Sequence, residues 1–183
     1  MTSRREQILD AAADLFADRG FHGVSVADLG AACGISGPAL YKHFPSKDAM
    51  LSEMLVAISE RLLAGGKERV ASAEDPRSAL HALIDFHVEF ALSQPSLIAV
   101  QERDWSSLPP QSRELVRTLQ REYVTLWADQ VTALYPQVSH EAAKATAHVG
   151  FGLINSTPHS NRLPLEAMRE ILTRMARAAL GVG

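Results

Sequence analysis

The chain has 183 residues, 46% hydrophobic and 21% charged, with a formal net charge of −3; this mixture permits a packed core and excludes a disordered chain. No apolar run approaches the roughly 20 residues of a membrane span, and with acidic residues in "MTSRREQILDAAADLF" a signal peptide is not expected there. A single cysteine, Cys33, leaves no disulfide framework and makes a reducing cytoplasm the expected location; on an apolar helix face it reads as a core thiol, with redox sensing as the other reading.

Helical periodicity runs through the sequence, with no alternating strand. A first helix starts near Ser3, carries Ile8, Ala11, Ala12, Leu15 and Phe16 at three- and four-residue spacing, and stops at Gly20. Ser25 caps a second, with Asp28 three residues on, and Gly34 ends it. Ser36 caps a third with Pro38 in its first turn, closed by Pro45. Ser46 caps a fourth that runs toward Gly65 and Gly66, where "GGKERVASAEDP" reads as a loop. Further helices are expected over residues 76–93, 97–103, 110–135, 139–156 and 164–180, with "SSLPPQS" and "TPHSNRLP" as loops. The expectation is an all-α protein of about nine helices.

Two short helices joined by a glycine turn suggest a helix-turn-helix, with residues 25–33 as the brace and 36–44 as the helix that enters the major groove. Val26, Leu29, Ala32, Ile35 and Leu40 would form the small core between them. Tyr41, Lys42 and His43 offer a phenol, a cation and an imidazole within one turn. Ser46 and Lys47 open the next helix, whose N-terminal dipole itself attracts phosphate.

The stretch "ILDAAADLFADRGFHGVSVADLGAACGISGPALYKHFPSKDAML" closely resembles the N-terminal pattern of TetR-family transcriptional regulators. The remainder is similar to that family only in being an all-helical domain of the usual length. The resemblance implies a helix-turn-helix domain over residues 1–47 and a ligand-binding and dimerisation bundle over 48–183. It further implies a homodimer on a palindromic double-stranded DNA operator and regulation by a small-molecule effector, with repression as the first reading and activation as the other; no cofactor or metal is expected. By the same resemblance Tyr41, His43 and Lys47 match phosphate-holding positions, and Ser25 a position that touches the DNA backbone. Gly37, Pro38, Ala39 and Lys42 lie where the family reads bases, with Ser36 capping that helix. Lys42 alone among them has a strong base-reading group. Arg4 and Arg5 have two readings, a neighbouring minor groove or a solvated chain end.

For the C-terminal bundle, the final helix carries an apolar stripe of Leu165, Met168, Ile171, Leu172, Met175 and Ala179. The helix before it contains Gly150 and Gly152, each about 1 kcal/mol worse than alanine in a helix interior. Close approach of another helix explains such glycines, so dimerisation through the last two helices is expected. "SLIAVQERDW" places Gln101, Arg103 and Trp105 as candidates for the pocket mouth, with a solvated helix end as the other reading. His87, Phe90, Tyr123, Trp127, Phe151 and Asn155 are candidate wall residues, or simply core. A mostly apolar wall suits an apolar or acyl-type effector, an acyl-CoA thioester included.

A helical enzyme, or an interaction module without sequence-specific DNA binding, is the alternative class. Against an enzyme stand seven scattered histidines without paired metal spacing, no nucleophile elbow and no glycine-rich phosphate loop after a strand. Charge placement bears on DNA binding. Up to Glu60 there are five basic and eight acidic residues, against 13 and 13 beyond it. Glu6, Asp10, Asp14 and Asp18 recur every fourth residue, which puts them on an outward stripe opposite the first helix's apolar face. We expect a narrow basic edge on an acidic body.

Overall fold

The computed structural model describes residues 3–160 and 162–183, and among them every regular element is helical. The chain divides into two compact units, residues 1–58 with 96–116, and residues 59–95 with 117–183. No helix among the described residues is long and apolar enough to cross a membrane.

In the first unit, α1 (Arg4–Arg19), α2 (Val26–Cys33) and α3 (Gly37–Tyr41) are each started by a serine cap. The Ser3 hydroxyl accepts from the Glu6 amide while the Glu6 carboxylate accepts from the Ser3 amide, and Ser25 with Asp28 repeats the arrangement. Both are capping boxes, which satisfy two orphan helix-end donors each. Gly34 ends α2 at φ 64°, ψ 33°, a left-handed conformation that side chains resist. Helix α3 is shorter than the 36–44 expected from sequence. It closes at Tyr41 because Phe44 must turn inward, where it is 1% exposed. Lys42 and His43 therefore lie in the turn that follows.

Ser46 caps α4 (Lys47–Ser72), its hydroxyl accepting from the Ala49 amide at 3.1 Å. The helix does not stop at Gly65 and Gly66, as expected from sequence, but continues to Ser72. A β-carbon on Gly65 would lie 2.4 Å from the Phe86 ring, and one on Gly66 would lie 2.7 Å from the Tyr123 ring. The two glycines are thus sites where aromatic rings rest on the helix backbone, and hydrogen bonding within the helix carries the chain past them.

The first unit buries Ile8, Phe16, Leu29, Leu40, Phe44 and Leu55 in one cluster, which also takes in Val100, Leu108 and Val116. The last three come from α6 (Pro95–Asp104), the end of a 3-10 turn (Trp105–Ser107) and the start of α7 (Pro110–Leu134). Helix α6 starts two residues earlier than the 97 expected from sequence, with Pro95 as its first residue, where the missing N–H costs nothing. Arg113 closes the "SSLPPQS" linker by donating to the Ser106 and Leu108 carbonyls at 2.8 Å each.

The second unit packs α5 (Pro76–Ser93), α8 (His140–Ile154) and α10 (Leu165–Ala179) against one another, with the latter part of α7 beside them. A one-turn helix, α9 (Thr157–Ser160), occupies part of the stretch expected as the loop 157–164; Asn161 in that stretch lies outside the described residues. Tyr135 donates to the Gly181 carbonyl, and the His81 ring meets the Val182 carbonyl at 2.6 Å, so the chain end is tied to this unit. Helix α10 buries Met168, Leu172 and Ala176 and leaves Leu165 and Met175 about half exposed. Its apolar stripe is wider than its own unit covers.

Candidate functional site

Helix α3 presents a sorted face. Leu40 is buried at 2% while Tyr41 is 54% exposed, with Pro38 and Lys42 also exposed and Gly37 and Ala39 half-buried. One buried leucine anchors the helix; the side chains around it remain available to a partner. Ser36 and Ser25 are exposed, and their hydroxyls serve as caps, accepting from the Ala39 amide at 3.3 Å and from the Asp28 amide at 3.1 Å. Hydrogen bonds from the Ser25 hydroxyl and amide hold the Asp28 carboxyl below its ordinary pKa.

The angle between α2 and α3 depends on Gly30. A β-carbon there would sit 2.7 Å from the Ile35 carbonyl oxygen and 3.4 Å from the Gly37 nitrogen. The turn backbone passes over α2 at a point where only hydrogen fits. Sequence reasoning missed this residue, although a glycine inside an eight-residue helix was a signal of the same kind as Gly150.

Three basic residues tie the helix-turn-helix to its neighbours. The Arg5 guanidinium donates to both Glu53 oxygens at 2.6 and 2.5 Å, donates to the His43 carbonyl, and stacks 4.1 Å from the Phe44 ring centroid. Arg4 donates to the Cys33 carbonyl at the end of α2. Within the chain, both tie α1 to the helix-turn-helix, which is no solvated end. Lys47 donates to the Phe21 carbonyl at 2.9 Å and to the Val24 carbonyl, with its ammonium 4.7 Å from the Phe21 ring centroid. That fastens the α1–α2 loop to the start of α4, and an ammonium has a third proton beyond these two. Cys33 is half-buried against the core, and burial raises its thiol pKa, away from thiolate reactivity.

Glu6, Asp10, Asp14 and Asp18 are all exposed, away from the buried Ile8, Ala12 and Phe16. Asp14 accepts from the Ser96 hydroxyl at 2.6 Å.

The nine candidate effector residues fall into two groups. Gln101, Arg103 and Trp105 belong to the first unit. Arg103 donates to the Phe16 carbonyl at the end of α1, Trp105 packs on that unit's core, and Gln101 is half-buried on α6. His87, Phe90, Tyr123, Trp127, Phe151 and Asn155 belong to the second unit and come together. The His87 ring lies 5.6 Å from Phe90, 5.7 Å from Tyr123, 6.1 Å from Trp127 and 4.9 Å from Phe151. Trp127 and Phe151 meet edge to face at 4.8 Å, and Tyr123 stacks on Phe151 at 5.5 Å.

Burial pushes the His87 pKa down to about 4, the Asn155 hydrogen bond opposing it, so the ring is neutral at pH 7. A neutral imidazole has one donor and one acceptor. The Asn155 side-chain oxygen lies 3.1 Å from Nε2 and accepts its proton; Nδ1 then faces the Tyr123 hydroxyl at 3.4 Å. Burial likewise raises the Tyr123 phenol. The Trp127 N–H is near enough to Tyr123 to oppose that rise but is not in hydrogen-bond geometry, and it stays buried without a partner.

Fold and reading head together define a helix-turn-helix protein joined to a helical bundle with an aromatic interior. A model of bacterial regulatory proteins of the tetR family matches residues 8–54, and a tetracyclin repressor-like C-terminal domain model matches residues 73–159. The chain belongs to the TetR family. It is similar to the HTH-type transcriptional repressor KstR2 of Rhodococcus jostii (strain RHA1), 35% identical over 127 residues, or 69% of this chain and 62% of that protein. The match thus spans less than two thirds of that relative's length. The solved structure of the ketosteroid transcriptional regulator KstR2 of Mycobacterium tuberculosis superposes with a TM-score of 0.84 at 22% identity, over 99% of this chain and 95% of that one. That of AibR in complex with isovaleryl coenzyme A and operator DNA gives 0.72 at 19% identity, over 94% and 97%.

Proposed function

We propose that this chain is a ligand-responsive DNA-binding repressor, acting as a homodimer on a palindromic operator in the cytoplasm. The observation that carries the reading is α3, which buries Leu40 and turns Pro38, Tyr41 and Lys42 outward. We assign base reading to Gly37, Pro38, Ala39 and Lys42, and backbone contacts to Ser25, Ser36, Tyr41, His43 and the remaining proton of Lys47. Residues 1–47 are the reading domain and 48–183 the sensing and dimerisation domain. Exposed Val149, Leu165 and Met175, with the open surface at Gly152, support pairing through α8 and α10. A two-fold dimer presents two reading helices to half-sites about 34–36 Å apart, one DNA turn.

The effector we infer is apolar or acyl-type, entering beside His87, Tyr123, Trp127 and Phe151. The AibR complex supports this as a fold able to hold an acyl coenzyme A and operator DNA. Release requires that the effector bind the DNA-free conformation better than the DNA-bound one; equal affinity for both would shift nothing.

The test is binding to the chain's own promoter region. Specific retention that weakens steeply with salt is the expected result, with Lys42→Ala weakening it about tenfold by loss of one base contact of roughly 1–3 kcal/mol. No retention at low salt, with Lys42→Ala indistinguishable from the parent, would leave the enzyme or interaction-module class.

A further inference from the structure

One guanidinium, that of Arg5, joins three parts of the first unit. Its Nε and Nη2 donate to the two Glu53 oxygens at 2.6 and 2.5 Å, its Nη1 donates to the His43 carbonyl, and its face covers the Phe44 ring at 4.1 Å from the centroid. Both mounts are anchored in the core. Arg5 lies in the first turn of α1, beside the Ser3–Glu6 capping box and three residues before the fully buried Ile8. Glu53 lies on α4 among Met50, Leu51 and Met54, none of them more than 4% exposed. A guanidinium is planar, so a carboxylate that fixes its Nε–Nη2 edge fixes the direction of Nη1 as well.

The turn that Nη1 reaches is the part of the reading head that α3 holds only from one side. The amides of Lys42, His43 and Phe44 donate back to the Ala39 and Leu40 carbonyls at 3.2, 2.9 and 3.0 Å. The His43 carbonyl lies past the helix end, where acceptors are left over, and its proton comes from Arg5. Lys42 is exposed and His43 half-buried, while Phe44, 1% exposed, pins the turn beneath the guanidinium. The Arg5 and Glu53 side chains are 45% and 35% exposed, and so open a pair adds little to stability. Its main consequence is geometric: it sets where the turn carrying Lys42 and His43 stands relative to α1 and α4.

We propose that Glu53 is a positioning residue for operator binding. It acts through Arg5, whose remaining corner holds the His43 carbonyl and so places the Lys42 and His43 side chains for DNA. Arg5 stays in this bracket when DNA is bound and does not enter a minor groove; neither it nor Glu53 touches the DNA. The inference rests on the assignment of Lys42 and His43 to DNA contacts. The sign of the effect separates it from plain electrostatics. Removing a carboxylate close to a polyanion should by charge alone tighten binding; removing this one weakens binding, because the turn loses its reference point.

The test is fluorescence anisotropy of the full chain on its own promoter region and on a random duplex, across a salt series and at a temperature where melting curves show every variant folded. Glu53→Gln weakens promoter binding about fivefold, part of the loss expected for the Lys42 contact itself, and leaves the random duplex within about twofold of the parent. Its promoter affinity falls with salt at the parental slope, because no phosphate contact is lost. Arg5→Lys keeps the charge, but one ammonium cannot hold both carboxylate oxygens and the His43 carbonyl in a single plane, so it weakens promoter binding as Glu53→Gln does. The double variant Arg5→Gln, Glu53→Gln is no weaker than Arg5→Gln alone, since the two residues act as one unit. Promoter binding by Glu53→Gln equal to or tighter than the parent's, parental affinity in Arg5→Lys, or losses that multiply in the double variant overturn the inference and leave the DNA-binding reading standing. A salt slope shallower by about one in Arg5→Gln also overturns it, by placing Arg5 on a phosphate. No promoter retention by the parent at low salt removes the DNA-binding reading, and the inference with it.

Discussion

Replacing Gly30 by alanine tests the geometry of the reading head. The new β-carbon would lie 2.7 Å from the Ile35 carbonyl oxygen and 3.5 Å from the Ser36 carbonyl carbon. The first distance is about 0.7 Å short of an ordinary contact at 3.4 Å. Its partner is backbone in a turn between two caps, so no side chain can swing aside. Overpacking of this kind costs about 1–3 kcal/mol. Alanine's better helix propensity returns up to about 1 kcal/mol, leaving a net destabilisation of about 1–2 kcal/mol. For a chain of this length that lowers the melting temperature by about 2–8 °C. The displaced atoms lead directly into Gly37, the first residue of α3, so affinity for operator DNA falls further than stability does, by tenfold or more. Thermal denaturation and fluorescence anisotropy on the same samples measure both. A Gly30→Ala protein that melts within 1 °C of the parent and binds DNA equally would refute the close approach of turn and helix.

His87 makes stability depend on pH. Its folded pKa of about 4 lies below the ordinary 6.5, so between those values the unfolded chain binds more protons. Stability is therefore full above about pH 6.5 and declines as pH falls toward 4, by about 3 kcal/mol in total from this group; His87→Phe flattens that part of a urea-denaturation series, and an equally steep decline in the variant would assign it elsewhere. Arg5 and Glu53 are 45% and 35% exposed, so their bidentate pair is screened. A double-mutant cycle with Arg5→Ala and Glu53→Ala should give a coupling of about 0.5–1 kcal/mol, and zero coupling would remove the pair from the account of how α1 holds α4. Asp10→Asn with Asp14→Asn should leave DNA affinity within twofold; tightening by several-fold would put the acidic stripe beside the DNA.

The sequence by itself determined the starts of the serine-capped helices and the turn between the reading pair. Ser3, Ser25, Ser36, Ser46 and Ser139 act on an amide three residues ahead, and Gly34 acts on its own dihedrals. Signals of that range are complete within one turn of chain, so they can be read without knowing what lies opposite. The sorted face of α3 was legible for the same reason, through one apolar residue among small and polar ones. Tertiary structure alone decided the rest. Gly65–Gly66 looked like a break because nothing local announces the Phe86 and Tyr123 rings that rest on it. Arg5 and Glu53 lie 48 positions apart, and Arg103 reaches the Phe16 carbonyl across 87, so neither pairing leaves a periodic trace. The same holds for Val100, Leu108 and Val116, whose apolar spacing says that they are buried but not in which core. Periodicity specifies that a face must be covered; which distant segment covers it is settled only by the packing of the whole chain.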